Sequence, residues 1–94
     1  MTKNIFRELK KFINKAKADN LVFFNGSRKW DTKISNHVIR FTCKEETYRY
    51  SNTTVTSWRI LELEFQVFLE ITIKMYNRKS EPFYITDTYE IFYG

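Results

Sequence analysis

Cysteine, proline, glycine and histidine are almost missing from these 94 residues, which hold one Cys, one Pro, two Gly and one His. Each scarcity removes a class of function. A lone Cys43 cannot close an internal disulfide, so a disulfide-stapled secreted scaffold is excluded and a cytoplasmic location is expected. Two glycines leave little room for a glycine-built phosphate loop. His37 has no second histidine with which to build a zinc site. Cys43 lies further along an extended segment, about 20 Å away, too far for a Cys–His pair. His37 therefore reads as an ordinary surface residue and Cys43 as a small core residue. No apolar run approaches the length of a membrane span, and no signal peptide is visible. The expectation is a chain that is not an enzyme and binds no metal, cofactor or membrane.

What the chain does have is charge and aromatic mass. Sixteen Lys and Arg against eleven Asp and Glu give a net charge of +5, unevenly spread. Residues 1–60 carry +8 and residues 61–94 carry −3, which predicts two surfaces of opposite sign. Nine Phe, six Tyr and two Trp supply much burial from few positions, each contributing about 1.5–3 kcal/mol when fully enclosed. With 43% hydrophobic residues the length suits one modest core, so residues 1–94 are expected to form a single domain.

Hydrophobic spacing divides that domain into one helix and several strands. Ile5, Phe6, Leu9, Phe12, Ile13 and Ala16 fall on one stripe at helical period, with Arg7, Lys10, Lys11 and Lys15 largely off it. Thr2 or Asn4 is the expected N-cap, and Asp19-Asn20 the expected end. The apolar run 21–24 followed by Asn25-Gly26 predicts a hairpin. Residues 38–43 and 47–50 read as strands, and 51–54 as a polar turn. From Leu61 to Met75 every odd position is apolar, while the even ones include Glu62, Glu64 and Glu70. That alternation predicts one long strand with an oily face and an acidic one. Trp58 and Ile60 are even-numbered, so a β-bulge or a sharp bend is expected near Ile60-Leu61. Residues 77–82 read as the clearest turn and 83–93 as the returning last strand. Pairing Met75 with Phe83 sets Asp87 opposite Ile71. Either a bulge turns that carboxylate outward or it has a buried partner, and the bulge is the favoured expectation. The fold class that follows is α+β: one N-terminal amphipathic helix packed on a curved antiparallel β-meander of four to six strands.

Several groups of residues are candidates for contact. Glu62, Glu64 and Glu70, with Phe68 among them, form an acidic stripe suited to a basic partner. Arg28, Lys29 and Trp30 add a basic-aromatic anchor. Arg7, Lys10, Lys11 and Lys15 on the helix, together with Tyr48, Arg49 and Tyr50, offer cations for phosphates and rings for bases, as single-stranded nucleic-acid binders do. If the last strand is a sheet edge, it is open to another protein or to a second copy of this chain as a homodimer.

A composition rich in Lys, Ile, Asn, Phe and Tyr and poor in Ala, Gly and Pro resembles the products of AT-rich phages and mobile elements. Small proteins of that kind include anti-CRISPR and other anti-defence inhibitors. The resemblance is one of general character and implies an inhibitor that blocks a host protein complex by surface contact. The leading expectation is therefore a non-enzymatic protein-binding module. Nucleic-acid binding through the basic helix and basic-aromatic strands is the alternative.

Overall fold

The apolar stripe of the first eighteen residues does become a helix. In the computed structural model, which describes the backbone of residues 2–94 and the side chains of residues 5–94, α1 spans Thr2–Ala18. Phe6, Leu9, Ile13 and Ala16 are buried along it, with Ile5 and Phe12 packed beside them. Asn20 takes the left-handed conformation (φ 61°), and its N–H bonds back to the Lys17 carbonyl, which ends the helix. The expected N-cap side chains, Thr2 and Asn4, lie outside the described residues.

Seven strands follow: β1 (Leu21–Asn25), β2 (Arg28–Ile34), β3 (Val38–Cys43), β4 (Glu46–Ser51), β5 (Val55–Leu63), β6 (Gln66–Tyr76) and β7 (Pro82–Tyr93). They form one antiparallel sheet in the order β4-β3-β2-β1-β7-β6-β5. The α+β class holds, but the expected four to six strands become seven. The single meander becomes two, joined where β1 pairs with β7.

The extra strand comes from inside residues 61–75. Leu63 pairs with Gln66, Glu64 takes φ 49°, and the chain reverses there instead of running on. A two-residue turn explains the change of phase that suggests a bulge or a sharp bend at Ile60-Leu61. Across it even residues oppose odd ones, so Trp58 faces Ile71 and Ile60 faces Leu69. The irregularity of β5 lies elsewhere, between Val55 and Ser57. The first hairpin is present as expected, but its turn lies one residue later than Asn25-Gly26: Gly26 and Ser27, at φ 61° and 65°, form the mirror-image turn between Asn25 and Arg28.

Topology forces the sheet to curl. β4 and β5 stand at opposite ends of the strand order, yet only residues 52–54 separate them. That link reaches at most about 14 Å, whereas the edges of a flat seven-stranded sheet would lie about 29 Å apart. The edges therefore swing together. The Lys74 N–H donates to the Thr54 carbonyl (2.9 Å) and the Asn52 N–H to the His37 carbonyl (3.1 Å), fastening the junction. Inside the curl, Phe41 of β3 stacks on Tyr89 of β7 with ring centroids 4.1 Å apart. The helix packs against β5, β1 and β2. Its Phe12 ring lies 5.5 Å from that of Trp58, whose indole N–H donates to the Ile5 carbonyl (3.2 Å).

Curling also answers the question of Asp87. The register runs unbroken through Ile71 and Asp87, so the favoured bulge is not there. The carboxylate instead accepts a hydrogen bond from the Tyr50 hydroxyl (2.6 Å), and the Tyr89 hydroxyl bonds to that of Tyr50 in turn. Tyr50 arrives from β4, four strands away in the sheet order. Burial above all pushes both phenols well above the ordinary tyrosine range. For Tyr50 the neighbouring Tyr89 and the Asp87 charge add to the shift; for Tyr89 the hydrogen bond with Tyr50 works the other way. A phenol with a raised folded pKa contributes stability that is intact below its unfolded value, about 10, and is lost as pH climbs toward the folded one. Ultraviolet titration should show Tyr50 and Tyr89 resisting ionisation until the chain unfolds, with thermal stability falling from about pH 10 upward. Ionisation of every tyrosine together in a folded chain would remove the buried pair.

The last strand is not a sheet edge. β7 lies between β1 and β6, and the edges are β4 and β5. Only residues 90–93 pair with β1, however, so residues 82–88 have no strand on the side away from β6.

Candidate interaction surfaces

The curled sheet sorts side chains by face, and this sorting decides which candidates remain available. Trp30 is only 3% exposed. Its indole N–H donates to the Asn25 carbonyl (3.1 Å) and its ring stacks on Tyr48 with centroids 5.0 Å apart. It is a core residue and cannot serve as the expected contact anchor. Arg28 lies 5.4 Å over that ring and pairs with Glu46, and the Glu46 hydrogen bond holds its guanidinium firmly charged. Lys29 stays exposed on the outer face.

The acidic stripe does not survive the hairpin at Glu64. Glu62 pairs with Val67 and so points to the helix side of the sheet, at its open end. Glu64 sits in the turn itself. Glu70 lies on the outer face in an ion pair with Arg59, and Phe68 lies half-buried on the same face. Three carboxylates expected in one row thus occupy three settings.

The nucleic-acid candidates also divide. Arg7, Lys11 and Lys15 are exposed on the helix, with Lys11 near Glu8 (3.7 Å) and Lys15 near Asp19 (3.5 Å). Lys10 lies over the Phe6 ring. Arg49 is exposed on the outer face of β4. Tyr50 is buried, so it is removed as a base-stacking ring, and one face of Tyr48 is covered by Trp30. His37 stands in an exposed turn, its Nδ1 3.4 Å from the Asn52 amide, and Cys43 is a free thiol, half-buried. Among the described residues no group of His, Cys, Asp and Glu is placed to hold a metal, and no helix is long and apolar enough to cross a membrane.

Three surfaces went unnoticed in the sequence. An open groove of about 740 Å³ crosses the outer face over β1, β7 and β6, with Phe24, Phe68 and Phe92 as apolar walls and Lys29 and Glu90 at its sides. The far end of the β6–β7 ribbon carries Met75, Phe83 and Ile85 on the helix-side face and Tyr76 and Tyr84 on the other, all exposed. On the outer face of β2–β4, Lys33, Arg40 and Arg49 stand directly opposite one another. The second arises because β6 and β7 outrun their cover. The odd-numbered apolar set continues past Ile73, while the helix packs on β5, β1 and β2. A search for similar chains finds no matching protein family, curated protein or solved structure.

Proposed function

We propose that this chain is a small non-enzymatic protein-binding module that acts by surface contact through the exposed end of its β6–β7 ribbon. One observation carries the reading: five large apolar side chains, from Ile85 at 37% to Tyr76 at 62% exposure, cluster there beside an unpaired length of β7. Exposed apolar surface gathered in one place marks contact sites, because scattered single residues would cost a monomer less in solubility. The unpaired residues 82–88 supply backbone donors and acceptors for a partner strand, and Phe83 and Ile85 supply its apolar footing. The acidic stripe has no part in this contact. Compositional likeness to phage and mobile-element products supports an inhibitor of a host protein complex, of the anti-CRISPR or other anti-defence type, as the setting. The single unpaired cysteine supports action in the host cytoplasm.

Capture from host lysate tests the reading. A Phe83→Asp/Ile85→Lys variant should fold, since both side chains are exposed, yet lose a defined protein that the parent chain retains. A Glu62→Lys/Glu64→Lys variant should retain it. Equal capture by the ribbon variant, with its circular dichroism unchanged, would defeat the proposal. Sedimentation of the parent and ribbon variants alone tests whether the partner is a second copy.

A further inference from the structure

Lys33, Arg40 and Arg49 occupy one cross-strand row over three adjacent strands, with Lys33 opposite Arg40 and Arg40 opposite Arg49. Trp30, Thr32, Ile39, Phe41 and Tyr50 are buried on the inner face, so this row points outward. Like charges set directly opposite one another destabilise a sheet. The carboxylate pairings among the described residues lie elsewhere, at Lys11–Glu8, Lys15–Asp19, Arg28–Glu46 and Arg59–Glu70. Asp31 is the one acid on this face of β2–β4, in the adjoining row opposite Thr42, and it forms no ion pair within 4.0 Å. Lys29 extends the positive field past it. The fold therefore holds a row of concentrated positive charge that it does nothing to neutralise.

We propose that this outer face binds the phosphate backbone of a nucleic-acid duplex through Lys33, Arg40 and Arg49. Neighbouring strands lie about 4.8 Å apart, so the row rises from three backbones that span roughly 10 Å. Arg guanidinium groups suit the forked geometry of phosphate oxygens, and Lys adds a point charge. The same face of β2–β4 carries no aromatic ring, only Lys29, Asp31, Val38, Thr42, Thr47 and Ser51 around the row. Beside the row itself there is no platform on which unpaired bases could stack, since the nearest rings of the outer face, Phe24 and Phe92, lie beyond Lys29 on β1 and β7, so the row meets a backbone and not splayed bases. Binding is therefore indifferent to sequence and steeply dependent on salt. This site stands apart from the β6–β7 ribbon, and its failure would leave the ribbon's function untouched.

Fluorescence anisotropy of a short labelled DNA duplex, and of one of its strands alone, tests the proposal with the whole chain. Three phosphate contacts predict a slope of log K against log salt near −2.7, a loss of roughly 40-fold between about 50 and 200 mM. Each of Lys33→Gln, Arg40→Gln and Arg49→Gln should flatten that slope by about 0.9. None should lower the melting temperature, because each relieves a like-charge pair. No binding at low salt overturns the proposal. So does a stronger preference for the single strand, or a loss that follows Lys10→Gln/Lys11→Gln and spares the row. Row-dependent capture of an acidic protein, with no binding of the duplex, would assign the face to that other class of partner and likewise overturn it.

Discussion

Tyr89→Ala is expected to cost about 3–5 kcal/mol, as truncation of other enclosed aromatic residues does. A domain of this size holds only about 5–14 kcal/mol in all, so the variant should melt at least ~15 °C below the parent chain. The reason lies in position. Tyr89 is fully buried where the β3–β4 hairpin folds over β7, and its ring meets Phe41, Trp30 and Tyr50. Removing it opens a cavity at the contact that keeps the sheet curled. Smaller changes nearby should rank in order. Tyr50→Phe leaves the Asp87 carboxylate without its hydroxyl partner and should cost about 1–3 kcal/mol. Tyr89→Phe removes one hydroxyl while the Tyr50–Asp87 bond remains, and should cost about 1 kcal/mol. Tyr84→Ala, exposed on the outer face, should stay within about 0.5 kcal/mol. Thermal melts followed by circular dichroism give the ranking. A Tyr89→Ala penalty no larger than that of Tyr84→Ala would show that the curl is held elsewhere.

Leu9→Ala should cost about 2–5 kcal/mol and lower the urea midpoint by roughly 1–3 M with the slope unchanged. Leu9 is fully buried on the helix, one turn before the equally buried Ile13, within the cluster that also holds Leu69 and Ile71. As for most helices in folded proteins, its stability comes chiefly from packing of this face. Leu9→Met keeps the volume and should cost under about 1.5 kcal/mol. A change of slope with Leu9→Ala would mean instead that the helix had detached from a sheet that stays folded by itself.

How far the sequence could be read depended on how local each signal was. The Ile5 to Ala16 stripe and the hairpin after residues 21–24 are local, and both appear, the hairpin turning one residue later than expected, at Gly26-Ser27. The β6–β7 register was also readable, with Met75 by Phe83 and Leu69 by Tyr89, because the loop between those strands is short. The turn at Glu64-Phe65 was hidden because it uses neither Gly nor Asn, and odd-numbered apolar residues run through it on both sides. Without that turn, Glu62, Glu64 and Glu70 fall on one stripe. Trp30 looked exposed because its neighbours Arg28, Lys29 and Asp31 are charged, yet strand alternation turns it inward between them.

The sequence by itself determined the α+β class, the helix with its buried face, and the identity of most strands. Those depend on side-chain period over a few neighbouring residues. Only the tertiary structure decided that β7 would be held between β1 and β6, that Tyr50 would cross the curl to reach Asp87, and that Lys33, Arg40 and Arg49 would line up in one row. Those depend on which strands become neighbours. The short link between β4 and β5 imposes that closure on the whole sheet, and no residue signals it on its own.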